Sequence, residues 1–89
     1  MLTALEGEPT DGVVLFWAGW APPSTDMRDM MHALPDEFRH VDVEANPEAA
    51  LKNDVRGLPT VVLYRRGVDM SRKIGYINEQ ALRAWIAEN

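Results

Sequence analysis

The sequence contains no cysteine. It therefore forms no disulfide bond and offers no thiolate, the species that acts as nucleophile or metal ligand in cysteine chemistry. It also lacks a cluster of residues at metal-ligand spacing, so we expect no metal and no cofactor. A chain of 89 residues without such cross-links depends on its apolar core for stability, and its length suits one domain.

Positive charge is also scarce. Nine Lys and Arg residues stand against 14 Asp and Glu, which gives a net charge of −5. Binding to nucleic acid needs a basic face, and the adjacent Arg65 and Arg66 are too few to form one. We interpret these two arginines as the solvated end of a hairpin. The charge balance thus argues against nucleic acid and acidic membranes as main partners.

Long apolar runs are absent as well. No stretch approaches the ~18 residues of a membrane span. Residues 1–12 lack the basic segment and the apolar run of a secretory signal. These absences predict a soluble, cytoplasmic protein. Nothing in the pattern indicates an obligate interface, so we expect a monomer.

The apolar pattern that is present predicts alternating strands and helices. The run from Val13 to Trp17 is continuously apolar and rich in β-branched and aromatic residues, which is typical of a central strand covered on both faces. For residues 1–11 we predict at most a short helix or strand, with a turn at residues 10–12. Further strands are predicted over 38–43, 61–64 and 71–76, and helices beginning near Pro22, Asn46 and Asn78.

Connectivity follows from the order of these elements. The first two strands are joined through a helix and should therefore be parallel. The last two strands are separated only by a turn at Gly67 and should form an antiparallel hairpin. Methionines and a leucine recur at helical spacing between residues 27 and 34, and we interpret them as core rather than as a copper site.

Four separated segments carry a family resemblance. They are Phe16-Trp17-Ala18-Gly19-Trp20 with the turn Ala21-Pro22-Pro23-Ser24, Asn46-Pro47 after Asp42-Val43-Glu44, Val55-Arg56-Gly57-Leu58-Pro59-Thr60, and Lys73-Ile74-Gly75. In this order and spacing they resemble the thioredoxin family. The resemblance implies an α/β fold, a three-layer α/β/α sandwich around a mixed sheet of about four strands. It also implies a single domain at residues 1–89, with the first strand and helix of the family shortened or absent.

The turn that follows Trp20 carries the chemistry in that family. Its outer two positions are cysteines, the first of which attacks a substrate disulfide from a helix N-terminus while the second resolves the mixed disulfide. The resemblance implies that Ala21 stands at the nucleophile position and Ser24 at the resolving position. Alanine has no nucleophilic atom, and a serine hydroxyl is a poor nucleophile without an adjacent base. We therefore predict that the chain as written does not catalyse thiol–disulfide exchange.

The resemblance also implies a substrate-binding groove. In the family the peptide bond before the proline matched by Pro59 is cis, and the preceding residue, here Leu58, offers backbone hydrogen bonds to a bound peptide. The substrate-binding residues implied in this way are Trp20, Pro22, Pro23, Leu58, Pro59, Ile74 and Gly75.

Leu15 departs from the family pattern, and His32 and His40 are polar residues outside the four segments. Leu15 stands where many thioredoxins carry a buried acid for proton transfer, so restored cysteines should differ from thioredoxin in rate or pH dependence. The sequence pattern predicts that His32 and His40 share no site with another histidine, a cysteine or a clustered acid. We interpret each of them as structural or solvated.

Three hypotheses explain the missing cysteines. The chain is a cysteine-free variant of a working oxidoreductase, whose parent reads Trp-Cys-Pro-Pro-Cys and acts on disulfide-containing protein substrates with a thioredoxin-reductase-like or other thiol reductant. Alternatively, it is a naturally redox-silent module that binds a peptide or protein around Trp20 and Pro59. In the third, it is a structural subunit with a vestigial groove. Retention of Pro22 and Pro23 favours the first hypothesis, and one sequence does not separate the first two.

Overall fold

A computed structural model of the chain describes residues 11–89. The elements, in chain order, are β1 (Asp11–Trp17), α1 (Pro22–His32), β2 (Arg39–Asp42), α2 (Pro47–Lys52), β3 (Thr60–Arg65), β4 (Val68–Ile74) and α3 (Glu79–Glu88). The short element predicted within residues 1–10 lies outside the described residues. None of the helices in the described part of the chain is long and apolar enough to cross a membrane.

The four strands form one mixed sheet in the order β2-β1-β3-β4. Strands β1 and β2 pair in parallel, with Leu15 opposite His40. Strands β1 and β3 pair antiparallel, as do β3 and β4, which form the predicted hairpin. The α/β class and the mixed four-stranded sheet are confirmed.

Alternation along β1 divides the core into two layers. Val13 and Leu15 face a cluster with α1 and α3, which supply Met27, Met31, Leu82 and Trp85. Val14 and Phe16 face the opposite side, toward a cluster that includes Ala49 of α2 and Val41 of β2. Because residues 13–16 are all buried, β1 is a central strand, as its continuous apolar run predicts, and β3 is the other one.

The start of β1 differs from the sequence prediction. Asp11 and Gly12 were predicted in a turn, but they extend β1 and pair with Arg65 and Tyr64 of β3. A carboxylate oxygen of Asp11 accepts a hydrogen bond from the Arg66 amide at 3.1 Å. Pairing with a strand more than fifty positions away thus overrides the local turn signal.

Helix ends set the geometry of the site. Helix α1 begins with Pro22 and Pro23, directly after the loop that leaves β1, and both prolines are tolerated because the first amides of a helix lack intrahelical acceptors. Helix α3 is capped by Asn78, whose side-chain oxygen accepts a hydrogen bond from the Ala81 amide at 2.9 Å. The loop from Ala18 to Ala21 is therefore held between a central strand and a helix N-terminus.

Candidate functional site

Ala21 is the N-cap residue of α1. Its backbone is extended, with φ −115° and ψ 93°, and its carbonyl accepts hydrogen bonds from the amides of Ser24 and Thr25 at 2.8 and 3.2 Å. Its side chain is a single methyl group that caps nothing and carries no reactive atom. Pro22 and Pro23 follow in the first turn and are exposed.

The Ser24 hydroxyl is fully buried and fully engaged. The Ser24 oxygen lies 2.7 Å from the Ala21 carbonyl oxygen and 2.9 Å from the Ala18 carbonyl oxygen, and its single hydrogen is shared between these two acceptors. It accepts a hydrogen bond from the Ala18 amide at 3.1 Å. No titratable side chain within residues 11–89 bonds to it. The hydroxyl thus ties the end of the β1 loop to the start of α1, and no general base activates it.

A second loop, from Gly57 to Thr60, lies beside this turn. The peptide bond between Leu58 and Pro59 is cis. The Pro59 carbonyl accepts from the Gly75 amide at 2.8 Å, and the Thr60 hydroxyl donates to the Gly57 carbonyl at 2.6 Å. Gly75 has φ +99°, a conformation that glycine adopts without steric penalty. Pro59 itself is buried.

Leu58 has a free backbone at the edge of this loop. Within residues 11–89, neither its amide nor its carbonyl has a hydrogen-bond partner. Ile74 lies next to Gly57, because a Cβ atom added to Gly57 would stand 3.1 Å from the Cγ2 atom of Ile74. Of Ile74, 63% is exposed. An apolar surface with unpaired backbone groups is what an added extended peptide requires.

The two loops enclose a groove of about 420 Å³, which we call the Trp20 groove. One wall is Trp20, of which 66% is exposed. The lining residues are Trp20, Ala21, Val43, Ala50, Val55, Arg56, Gly57 and Leu58. All but Arg56 are apolar, so the space suits an aliphatic side chain.

The structure brings together only part of the predicted set. Trp20, Ala21 and Leu58 line the Trp20 groove, and Ile74 stands beside Gly57 at its margin. Pro59 and Gly75 support the wall by their mutual backbone hydrogen bond. Pro22, Pro23 and Ser24 do not line the groove, because the prolines lie on the exposed first turn of α1 and Ser24 lies inside the protein.

Other lining residues were not predicted. Val55, Arg56 and Gly57 belong to the motif that precedes Pro59, so the sequence named their segment but not their role. Val43 follows β2, and its amide donates to the Trp17 carbonyl at 2.9 Å. Ala50 of α2 carries no chemical signal, and only the packing of that helix places it in the groove.

The interpretation of the two histidines as unrelated is wrong. The rings of His32 and His40 meet edge to face, with centroids 4.6 Å apart, so the last residue of α1 contacts β2. The Nδ1 atom of His40 is buried and has no hydrogen-bond partner among the described residues. Burial, together with the nearby His32 and Arg28 side chains, lowers the pKa of His40. Arg28 in turn stacks on the Trp17 ring at 4.4 Å.

Charged groups at the site are few. A carboxylate oxygen of Glu44 accepts from the Gly19 amide at 3.3 Å, next to Trp20. Arg56, which lines the groove, pairs with Asp54. No cluster of three or more histidine or acidic side chains in the described part of the chain could hold a metal ion. The site is thus an apolar groove with few charges, and the turn beside it carries no thiol.

Comparisons with known proteins agree at the levels of sequence and structure. The thioredoxin family model matches residues 3–88. The chain is similar to a thioredoxin of Rickettsia bellii, with 26% identity over 83 residues that cover 86% of this chain and 79% of the relative. It is similar to thioredoxin C-2 of Corynebacterium nephridii, with 27% identity over 86 residues, 90% of this chain and 80% of the relative. The X-ray structure of Fasciola hepatica thioredoxin matches with a TM-score of 0.76 and 37% identity, over 85% of this chain and 77% of that one.

Proposed function

The chain belongs to the thioredoxin family, and we propose that it keeps the peptide-binding part of a protein disulfide oxidoreductase without the electron-transfer part. It holds an extended segment of a partner protein in the Trp20 groove and leaves any disulfide in that segment unchanged. The observation that carries this proposal is the contrast between the buried Ser24 hydroxyl and the open Trp20 groove. The Ser24 hydroxyl is sealed inside three backbone contacts, whereas the groove beside Trp20 and Leu58 is open.

The absence of thiols supports the redox-inactive part of this proposal. Reduction of a disulfide by a dithiol forms a new sulfur–sulfur bond, and the two electrons come from two thiolates. This chain has no sulfur at position 21 or 24 and no cysteine elsewhere. We therefore propose that the chain is redox-inactive in thiol–disulfide exchange.

Binding is supported by the shape and chemistry of the groove. Trp20 offers a large exposed indole face, and such rings are frequent anchors in interfaces. Leu58 offers an unpaired amide and carbonyl, which suit the backbone of an added extended strand. The partner is thus an extended peptide segment that places an apolar side chain against the indole.

A second candidate function concerns a cysteine-containing form of this sequence. Residues 21 and 24 stand at the N-cap and in the first turn of α1, and Cα atoms three apart in a helix are about 5 Å from each other. That spacing lies within the range that a disulfide spans. A thiolate at position 21 would also stand at the positive end of the α1 dipole. Such a form would exchange disulfides with protein substrates and a thiol reductant.

Peptide binding is tested by selection from a random library of peptides about ten residues long, displayed on phage. We expect selected peptides to shift the Trp20 fluorescence and to lose most of their affinity with Trp20→Ala. The matched control is Leu51→Ala, because 82% of Leu51 is exposed on α2 outside the groove. Selected peptides that bind Trp20→Ala as well as the unchanged chain would contradict the proposal.

The second candidate is tested with the double variant Ala21→Cys, Ser24→Cys. Reduction of insulin by dithiothreitol should be accelerated by this variant and not by the unchanged chain. Acceleration supports a scaffold competent for exchange, and a folded but inactive double variant supports binding alone. The monomeric state, the cytoplasmic location and the single domain over residues 1–89 stay predictions of the sequence.

A further inference from the structure

We propose that the Trp20 groove selects segments in which a carboxylate side chain follows an aliphatic one, and that Arg56 recognises the carboxylate. This inference rests on the proposed peptide binding and specifies its partner. Arg56 is the one charged residue among those that line the groove. It lies between Val55 and Gly57, which also line it, so a bound aliphatic side chain has the guanidinium within reach.

The guanidinium of Arg56 has unused donors. Its Nε atom donates to a carboxylate oxygen of Asp54 at 2.9 Å, while 81% of the Arg56 side chain and 70% of the Asp54 side chain are exposed. Within residues 11–89, the two terminal nitrogens of Arg56 have no hydrogen-bond partner. These nitrogens carry four N–H groups in a planar fork that matches a carboxylate.

The segment that presents Arg56 is fixed before any ligand arrives. The Val55 amide donates to the Ala50 carbonyl at 2.9 Å. The guanidinium of Arg72, on β4, donates to the carbonyls of Asn53 and Asp54, each at 3.0 Å. Because these bonds hold the backbone of the three residues directly before Arg56, little conformational freedom of that backbone remains to be lost on binding.

Asn53 adds a further anchor to the same segment. Its side-chain oxygen accepts from the Tyr64 hydroxyl at 2.6 Å, and its amide group donates to the Ala49 carbonyl at 2.8 Å. Tyr64 belongs to the buried strand β3. The loop is thus bonded to the sheet as well as to α2, which argues for a preformed recognition surface rather than a mobile one.

Two charged residues near the groove, Glu44 and Arg56, carry opposite charges. Glu44 accepts a hydrogen bond from the Gly19 amide, next to Trp20, and Arg56 follows Val55, whose amide donates to the carbonyl of Ala50 in α2. A ligand carboxylate is repelled at the first position and attracted at the second. The net charge of the chain is −5, so a preference for an acidic ligand must come from this local cation and not from the overall field.

The inference is tested with two fluorescein-labelled peptides, Gly-Ser-Thr-Val-Leu-Glu-Thr-Ser-Gly and the same peptide with Gln in place of Glu. Anisotropy titrations at low ionic strength should show that the Glu peptide binds about two- to fivefold more tightly, as expected for an exposed charge pair. Arg56→Gln should abolish the difference between the peptides. Arg65→Gln is the matched control, because Arg65 lies at the far end of β3, away from the groove.

The outcomes separate the two proposals. Equal affinity of the two peptides for the unchanged chain would overturn the role of Arg56 while leaving peptide binding intact. The role of Arg56 would also be overturned if the Arg56→Gln variant still bound the Glu peptide more tightly than the Gln peptide. The same holds if Arg65→Gln reduced this difference as much as Arg56→Gln does. If neither peptide binds and the library selection also yields no ligand that depends on Trp20, the proposed function fails together with this inference.

Discussion

Replacement of Ser24 by alanine tests whether the hydroxyl at the resolving position is a structural group. The substitution removes one oxygen atom from a fully buried site. The carbonyl of Ala18 keeps a second donor, the Ala21 amide at 3.1 Å, and the carbonyl of Ala21 keeps the Ser24 amide at 2.8 Å. The Ala18 amide loses the acceptor that it has at 3.1 Å, and Ala18 is itself fully buried.

The cost of the substitution is therefore that of one buried amide left without an acceptor. Such a group destabilises a folded protein by about 1–3 kcal/mol, and we expect about 2 kcal/mol for Ser24→Ala. For a domain of this size, a loss of about 2 kcal/mol lowers the melting temperature by about 10 °C. The overall stability of a small domain is only about 5–10 kcal/mol, so the change is readily measured.

The assay is urea denaturation followed by tryptophan fluorescence, with Thr25→Ala as the matched control. The Thr25 hydroxyl also donates to a backbone carbonyl, that of Pro22 at 2.9 Å, but it does so at the surface. We expect Thr25→Ala to change the free energy of unfolding by less than about 0.5 kcal/mol. Equal effects of the two substitutions would refute the structural role of the Ser24 hydroxyl.

Three further predictions concern the core, a helix cap and pH. Leu82→Ala, at a fully buried position, should lower the free energy of unfolding by about 3 kcal/mol, and a loss below that caused by exposed Leu51→Ala would contradict the assigned core. Asn78→Ala should cost about 1 kcal/mol in a thermal melt, because it removes the N-cap acceptor of α3; an unchanged melting temperature would argue against the cap. Since the pKa of His40 is lowered from its ordinary value of 6.5, the unfolded chain takes up the proton first, so stability is full above that value and falls as pH drops below it. Urea denaturation at about pH 7.5 and about pH 5.5 should show a smaller fall for His40→Gln than for the unchanged chain, and equal falls would count against this origin.

The sequence predicts the parts of the fold that depend on local pattern. The continuous apolar run at 13–17 identifies the central strand because both of its faces need cover. Asn78 identifies the start of α3 because its side chain satisfies an amide three residues later. These signals lie within one element and need no knowledge of its neighbours.

Features that depend on packing between distant elements are not predictable in this way. The extension of β1 to Asp11 depends on pairing with Arg65 of β3, and the Asp11 carboxylate accepts from the amide of Arg66 in the β3–β4 turn. The contact between His32 and His40 requires the C-terminal end of α1 to lie beside β2. A local pattern assigns each of these residues to an element but says nothing about which side chains meet.

Some residues of the Trp20 groove were predictable from sequence motifs, and others depend on packing between distant elements. Trp20 and Leu58 were predicted from motifs that are far apart in the chain, and both line it. Ala50 lines the groove because α2 lies beside the segment that contains Val55, whose amide donates to the Ala50 carbonyl. An alanine side chain has no chemistry from which this position could be predicted. The predicted prolines of α1 lie outside the groove because helix geometry turns them toward solvent.

The central claim, that an open groove beside Trp20 and Leu58 binds extended peptide in a chain without thiols, is tested most directly by nuclear magnetic resonance. A ¹⁵N-labelled sample is titrated with a peptide from the library selection. The account predicts saturable shifts of the Leu58 amide and the Trp20 indole resonances. Binding that leaves both resonances in place, with the shifts confined to another surface such as β4, would contradict it.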